Sequence, residues 1–334
     1  MFKNRKFLLI FIGCMLIAII SGCSEEDKVE GETIEDHKLL LGTSSQGGTY
    51  YVWGGGWADI MGKNIPGVDI AVEVTGGPTS NIQLIQSGDM ELGFVTAWLG
   101  GEGYNGVGWT DTKHDKIRSI FAMYPSVMHM YGLKGKGIET IHDFGGIHIS
   151  TGAPGSTSAE AGIALLEALD IKPKKISGLP TNTSTDSLRD GTLDGGFTVS
   201  GIPGPFMLDL ETTHEVQHIG ITEADMTILR DEYPYWSEVD VPAGTYKHQD
   251  EDTKLVAFWN LAVASSELSD ELVYDLVKET FEQYEALQSV DPTAKDTIIE
   301  NIKYSTIPLH PGALKYYEEE GIEIPDELIP PESR

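Results

Sequence analysis

An α/β fold with mostly parallel strands is predicted by two features of this 334-residue sequence. Short apolar or alternating runs are each followed by a polar, glycine-containing loop and then by apolar residues at helical spacing. The same order of strand, loop and helix recurs further along the chain. Strands that alternate with helices build parallel units whose sheet is covered on its faces. A chain of this length also predicts two lobes rather than a single core.

The first strand–loop–helix unit follows the N-terminal segment. Residues 38–41 form a short apolar run closed by Gly42, which favours a buried strand over a helix of that length. A polar loop spans 43–49. The helix after it is predicted from apolar residues at helical spacing, which we expect mainly in the core: Tyr50, Trp53, Trp57, Ile60 and Met61.

Two further units repeat the pattern. Their predicted strands are 68–74, 89–95 and 145–150, and their predicted helices start in the loops 75–81 and 151–157 and run through Gln86 and to Leu169. From Val241 onwards the chain changes character, with a turn-rich segment and then a long helix predicted over 270–287. We expect this last part to fold back onto the first lobe.

The first 22 residues predict a lipoprotein signal peptide. Basic residues precede an apolar run over 7–20 that is short for a membrane-spanning helix, and a small-residue pair before Cys23 is similar to a bacterial lipobox. Cleavage before Cys23 and lipidation of its thiol would leave a polar tether, 23–37, and hold the protein on the outer face of the cell membrane. A retained membrane helix is the less favoured alternative. Cys14 would be removed with the signal, so no disulfide is predicted.

The composition is that of an acidic globular protein. Hydrophobic residues make up 40% of the chain and aromatic residues 9%, which is enough for buried cores. The formal net charge is −29, and loss of the basic signal segment would make it more negative. Nucleic acid, itself a polyanion, is therefore excluded as a partner.

Three polar loops that enter predicted helices form the candidate binding site. They are 43–49, 75–81 and 151–158, and all are rich in glycine, serine and threonine. Loops of this kind lie at the carboxyl ends of parallel strands, where ligands of open α/β sheets bind. Unpaired N–H groups at a helix start bind a carboxylate without a cationic side chain. Each loop alone could be only a helix cap, but three in one chain favour a site for a small organic anion.

Two other motifs belong to enzymes but lack the local structure that their chemistry needs. Residues 214–218 have the zinc-protease spacing, which requires His214 and His218 on one helix face. Their neighbours favour a short strand after a helix that ends near Leu210, so a zinc hydrolase is the third choice of function. Residues 101–106 match a dinucleotide-binding pattern, but no amphipathic helix follows. We predict no enzymatic activity, no cofactor and no metal.

Several ordered motifs resemble one family of transport proteins. They are Gly-Gly-Thr-Tyr-Tyr at 47–51, Val-Thr-Gly-Gly at 74–77 with Asn81, Leu-Ile-Gln-Ser-Gly at 84–88, Tyr-Pro at 124–125, Gly-Ala-Pro-Gly-Ser at 152–156 with Glu160, Tyr-Pro-Tyr at 233–235, Val-Pro-Ala-Gly-Thr-Tyr at 241–246 and Leu-His-Pro-Gly at 309–312. Together they make residues 39–321 similar to the TAXI-type solute-binding subunits of tripartite ATP-independent periplasmic (TRAP) transporters. The resemblance implies a two-lobe, type II periplasmic-binding-protein-like fold, with a hinge between two mixed sheets flanked by helices.

The same resemblance implies a function and a set of ligand-binding residues. Such proteins capture dicarboxylates or amino acids, such as glutamate or 2-oxoglutarate, and pass them to TRAP membrane permease subunits. The implied ligand-binding residues are Ser44, Ser45, Gly48, Thr49, Tyr51, Gly77, Asn81, Thr96, Ser156, Thr157 and Ser158. Thr96 stands where an amide side chain is common in the family.

We therefore predict a lipid-anchored, extracytoplasmic solute-binding protein. Lobe 1 is expected to span 38–127 together with 241–322, lobe 2 to span 128–240, and a C-terminal tail to follow over 323–334. Two crossings between the lobes would allow closure on the ligand. The alternative is a ligand-binding module that serves a sensor or another class of transporter.

Overall fold

The computed structural model describes residues 36–233 and 235–334. The predicted signal peptide, the lipidation at Cys23 and the tether before Asp36 lie outside these residues. Strands and helices alternate along most of the described chain, so the predicted α/β class is confirmed. No helix in this part of the chain is long and apolar enough to cross a bilayer.

The described residues form strands, α-helices and short 3₁₀ helices. The strands are β1 His37–Gly42, β2 Val68–Glu73, β3 Leu92–Thr96, β4 Ile117–Leu133, β5 His148–Ser150, β6 Lys175–Ser177, β7 Gly195–Ser200, β8 Val216–Ile219, β9 Ser237–Val241 and β10 Thr253–Ser265. The α-helices are α1 Thr49–Asn64, α2 Pro78–Ser87, α3 Ala97–Asn105, α4 Thr157–Ala168, α5 Thr181–Arg189, α6 Pro205–Leu210, α7 Glu223–Glu232, α8 Asp270–Glu282, α9 Tyr284–Val290 and α10 Pro311–Glu319. The 3₁₀ helices are Ile141–Phe144, Pro292–Asp296, Ile299–Tyr304, Asp326–Leu328 and Pro331–Ser333.

The predicted strand–loop–helix units are present. They correspond to β1–α1, β2–α2–β3 and β5–α4. Helix α2 ends where Gly88 takes the left-handed conformation (φ 83°) that glycine adopts without strain. The long helix predicted over 270–287 is divided at Gln283 into α8 and α9.

One mixed sheet runs through the described chain. Its strand order is β2-β1-β3-β10-β4-β7-β5-β6, with β9 paired to β10 and β8 paired to β4. Strand β1 is parallel to β2 and β3, and β5 is parallel to β6 and β7. Between these two groups lie the long antiparallel strands β4 and β10. The two expected mixed sheets are therefore two parts of one continuous sheet.

Two large apolar cores pack against different parts of this sheet. One contains Trp53 and Trp57 of α1 together with residues of α8 and α10. The other contains Phe144 and Phe197 together with residues of α4, α6 and α7. Strands β4 and β10 contribute side chains to both cores. The sheet is thus covered by helices whose apolar faces it buries.

Two adjacent glycines of α1 face different surroundings. A Cβ atom on Gly56 would lie 2.2 Å from Val290 Cγ1, so this glycine allows α9 to pack closely. A Cβ atom on Gly55 would meet no heavy atom within 4 Å. We expect Gly56→Ala to lower the free energy of unfolding by about 1–3 kcal/mol through overpacking. We expect Gly55→Ala to raise it by about 0.5–1 kcal/mol through helix propensity. Urea unfolding measures both changes, and changes of the same sign would contradict this packing.

Candidate functional site

A cleft lies at the carboxyl ends of parallel strands. Strand β1 ends at Gly42 and its loop enters α1 at Thr49, while β5 ends at Ser150 and its loop enters α4 at Thr157. Residues of both loops face the same space, which encloses about 480 Å³ including the part open to solvent. This is the region of an open α/β sheet in which ligands bind. The two loops therefore form two walls of a candidate binding site.

Seven of the eleven predicted ligand-binding residues line this cleft. They are Ser44, Ser45, Gly48, Thr49, Ser156, Thr157 and Ser158. The loop at 75–81 contributes through Pro78, the first residue of α2. The structure thus brings together residues of all three loops, and the role of these residues in binding stays a prediction.

The other four predicted residues lie outside the lining. Asn81 is completely buried, and its side chain bonds to groups of the protein itself. Thr96 is the N-cap of α3 and is also completely buried. Tyr51 is half-buried on α1, and Gly77 is the N-cap of α2. The polar groups of Asn81 and Thr96 are thus already paired, because buried polar groups need partners inside the protein.

Four backbone amides at the cleft are free of protein acceptors. The N–H groups of Thr49 and Tyr50 begin α1, and those of Thr157 and Ser158 begin α4. None of the four donates to another group within residues 36–233 and 235–334. All four residues line the cleft. Because a helix start carries partial positive charge, the cleft offers an anion several donors, although none of the described residues that line it is Lys, Arg or His.

A group of polar side chains lies where β4 and β10 reach the cleft. Tyr50 donates from its hydroxyl to Asn260 Oδ1 at 2.6 Å. Asn260 Nδ2 donates to the Tyr124 carbonyl and to Ser126 Oγ, each at 2.7 Å. We call these four residues the Asn260 cluster, and all of them line the cleft. Burial raises the pKa of Tyr50 and Tyr124 well above the usual range, so both hydroxyls stay protonated.

The sequence pattern does not mark the Asn260 cluster as part of the site. Tyr50 is expected in the core by its spacing, and it lies both there and at the cleft. Asn260 interrupts a buried apolar stretch of β10, and this is the signal that could find it, because an unpaired buried amide is costly. Thr181, at the start of α5, and Ser200, at the end of β7, also line the cleft without being predicted.

The residues around the cleft contact each other across the predicted lobe boundary. Thr79 donates from its N–H and from its Oγ1 to the Gly155 carbonyl, each at 3.1 Å. Thr49 Oγ1 accepts from Gly201 N at 3.0 Å and lies 2.8 Å from Ser200 Oγ. These bonds connect the first turns of α1 and α2 with the loop after β5 and with residues at the end of β7. They hold the cleft in a narrow form.

The two competing motifs have a local structure that does not suit enzymatic chemistry. Helix α6 ends at Leu210, and His218 lies on strand β8 with His214 in the turn before it, so the predicted strand is confirmed. His218 Nε2 lies 2.9 Å from Oε1 of the buried Glu211. Within the described chain, no three His, Cys, Asp or Glu residues are arranged to hold a metal ion. Residues 101–106 form the end of α3 and its C-cap, rather than a loop before a helix.

Comparison with solved structures identifies the class of fold. The structure of MatC from Rhodopseudomonas palustris with bound malate has a TM-score of 0.56 at 13% sequence identity, over 85% of this chain and 96% of MatC. The periplasmic binding protein BugD has a TM-score of 0.51 at 14% identity, over 86% of this chain and 98% of BugD. The predicted type II periplasmic-binding-protein fold is therefore confirmed. Within this class, the chain belongs to the NMT1-like family, which it matches over residues 41–321.

Proposed function

We propose that this protein is an extracytoplasmic solute-binding protein, without enzymatic activity, that captures a small organic anion or amino acid and delivers it to a membrane transporter. More narrowly, we propose the TAXI type of TRAP transporter and a ligand of the glutamate or 2-oxoglutarate class. The observation that carries the proposal is the set of four unpaired amides at the starts of α1 and α4, which meet in one cleft. MatC, which shares the fold, holds malate, a small dicarboxylate, in its structure.

Closure of two lobes is part of this proposal. The two apolar cores support the division, and β4 passes from one core to the other between Tyr124 and Val127, at the predicted boundary. In strand β10, Phe258 belongs to one core and Ala262 to the other. We therefore propose that the chain returns to lobe 1 within β10, later in the sequence than the predicted crossing at residue 241. A ligand that contacts both lobes would stabilise the narrow cleft by its difference in affinity between closed and open forms.

The place of the protein is proposed from the N-terminal sequence. Lipidation at Cys23 would hold it on the outer face of the membrane, where the permease subunits lie. The polar residues between Cys23 and strand β1, which starts at His37 rather than after it as predicted, would then be the tether that lets the folded part reach the permease.

The proposal is tested by a variant that removes one backbone N–H donor and keeps helix α4 intact. Thr157 is the first residue of α4, a position where proline is well tolerated, and Ser156 before it has the extended backbone that a following proline needs (φ −84°, ψ 153°). We expect Thr157→Pro to weaken the binding of 2-oxoglutarate about tenfold to a hundredfold, because a charge-assisted hydrogen bond is lost. The melting temperature should change little. Titration calorimetry of the full chain in mild detergent measures the affinity.

The matched control is Thr157→Val, which removes the hydroxyl and keeps the N–H group. A loss of affinity equal to that of Thr157→Pro would assign the effect to the hydroxyl and contradict the role of the amide. The wild-type chain is also tested by calorimetry and thermal shift with four- and five-carbon dicarboxylates and with amino acids. If none of these ligands binds, the proposed function is wrong.

A further inference from the structure

The side chains around the cleft determine which small acids it can hold. Within residues 36–233 and 235–334, none of those that line the cleft is Asp, Glu, Lys, Arg or His. The polar atoms offered by side chains are hydroxyls and the amide of Asn260. Hydroxyls and backbone N–H groups can hold a carboxylate, because they donate hydrogen bonds. An ammonium group donates only, so the hydroxyl oxygens could accept from it, but it also needs a carboxylate to balance its charge once it leaves water.

Both polar atoms of the Asn260 amide are bonded within the protein. Its Oδ1 accepts from Tyr50, and its Nδ2 donates to the Tyr124 carbonyl and to Ser126 Oγ. Because the Tyr124 carbonyl can only accept, the orientation of this amide is fixed. The oxygen of Asn260 keeps one lone pair, but it carries no net charge with which to balance an ammonium group.

Two donors of the Asn260 cluster remain available. Ser126 Oγ accepts from Asn260, which leaves its own hydrogen free to donate. Tyr124 is one of the lining residues, and its buried hydroxyl has no partner among the described residues. A buried hydroxyl without a partner is unfavourable, so a ligand oxygen that accepts its hydrogen would gain affinity.

We infer, on the basis of the proposed function, that the cleft selects carboxylic acids with a keto or hydroxy oxygen that accepts from Tyr124 and Ser126, and that it rejects α-amino acids. Burial raises the pKa of Tyr124 most, and the charge of Asp291, a nearby carboxylate, raises it further. Asp291 is not a lining residue, and its Oδ1 already accepts from the N–H and the Oγ1 of Thr293 at 2.9 and 2.6 Å. An ammonium group in the cleft would therefore meet no carboxylate among the described lining residues.

Matched ligands test this selectivity without changing the protein. L-2-Hydroxyglutarate and L-glutamate share one carbon skeleton and differ only in the hydroxyl or ammonium group at C2. Titration calorimetry of the full chain should show that 2-hydroxyglutarate binds about 100-fold more tightly than glutamate. A difference below tenfold, or a preference for glutamate, overturns the inference and leaves the proposed function intact. If neither these acids nor 2-oxoglutarate binds, the proposed function fails and the inference fails with it.

The donors are tested by glutarate, which carries both carboxylates and no substituent at C2. We expect glutarate to bind about tenfold more weakly than 2-hydroxyglutarate, because it gives Tyr124 and Ser126 no acceptor. Tyr124→Phe should remove most of this difference and leave the affinity for glutarate unchanged. Equal affinities for the two acids in the wild-type chain would overturn the assigned role of these hydroxyls.

A carboxylate introduced into the cleft provides an independent test. Ser126→Asp would place a carboxylate in the cleft while keeping an oxygen that accepts from Asn260. We expect it to lower the ratio of affinities for 2-hydroxyglutarate and glutamate at least about tenfold relative to Ser126→Asn, the neutral variant of nearly the same shape. If Asp291→Asn, rather than a change at Ser126, alters the affinity for glutamate, the ammonium group already has a partner and the inference is overturned.

Discussion

Asn81→Asp, which replaces one amide NH₂ group by an oxygen, should lower the free energy of unfolding at pH 7 by at least about 3 kcal/mol. Asn81 is 0% exposed, and its Nδ2 donates to the carbonyls of Gly42, Thr43 and Phe94 at 3.0, 2.9 and 2.8 Å. A carboxylate at this position would face three carbonyl oxygens and could donate to none of them. Urea unfolding followed by circular dichroism measures the loss.

The loss should also depend on pH in a defined direction. Burial would raise the pKa of the new carboxyl above the value of about 3.9 that aspartate has in an unfolded chain. The folded state would then bind its proton at higher pH than the unfolded state, so the deficit is full at pH 7 and shrinks as the pH falls towards 4. The matched control is Asn105→Asp, since Asn105 is exposed and makes one bond, to the Gly101 carbonyl. A deficit at Asn81 that is no larger than at Asn105, or that does not change with pH, would contradict this account.

Asn81 also shows why its role could not be predicted from the sequence. An asparagine near a helix start has the same local pattern whether it faces a ligand or the protein. Its acceptors come from the end of β1 and the middle of β3, two strands that become neighbours only when the sheet forms. Asn81 therefore connects α2 to two strands of the sheet, a task that depends on contacts distant in sequence.

The parallel units and the three loops could be predicted because their signals are local. An apolar run closed by Gly42 and the helical spacing of Trp53 and Trp57 each lie within a few residues. Parallel strands of one sheet end at the same edge, so loops that follow such strands are expected to meet there. This rule accounts for the shared cleft at the starts of α1 and α4.

The centre of the sheet could not be predicted, because it depends on contacts between residues that are distant in sequence. Strands β4 and β10 are long, almost entirely buried and paired with each other, with Val127 opposite Ala257. A continuous apolar run does not indicate which strand will be its neighbour. The Asn260 cluster depends on this pairing, because Asn260 bonds to residues that lie 136 and 210 positions away in the sequence. The contribution of the Asn260 cluster to the cleft therefore cannot be predicted before the strands are placed.

Gly77→Ala should weaken the binding of 2-oxoglutarate about 100-fold, although Gly77 does not line the cleft. Gly77 has φ 116° and ψ −155°, a conformation open almost only to glycine. A Cβ atom there would lie 3.0 Å from Ser156 Cα and 3.2 Å from Ser44 Oγ, between two loops that form the cleft. The methyl group would push these loops apart and break the bonds of Thr79 to Gly155. Calorimetry measures the affinity. With ligand present, small-angle scattering should show a larger radius of gyration for the variant than for the wild-type chain.

Gly88→Ala is the control that separates the effect of the Cβ contact from the effect of backbone strain. Gly88 lies at the other end of the same helix. Its φ is 83°, and a Cβ atom there would meet no heavy atom within 4 Å. We expect Gly88→Ala to lower the free energy of unfolding by about 1 kcal/mol and to leave the affinity unchanged. If both variants lose affinity equally, strain in α2 is the cause. If Gly77→Ala binds as tightly as the wild-type chain, the bound form does not require the close approach of the loops at 75–81 and 151–158, and the narrow cleft is not the state that holds the ligand.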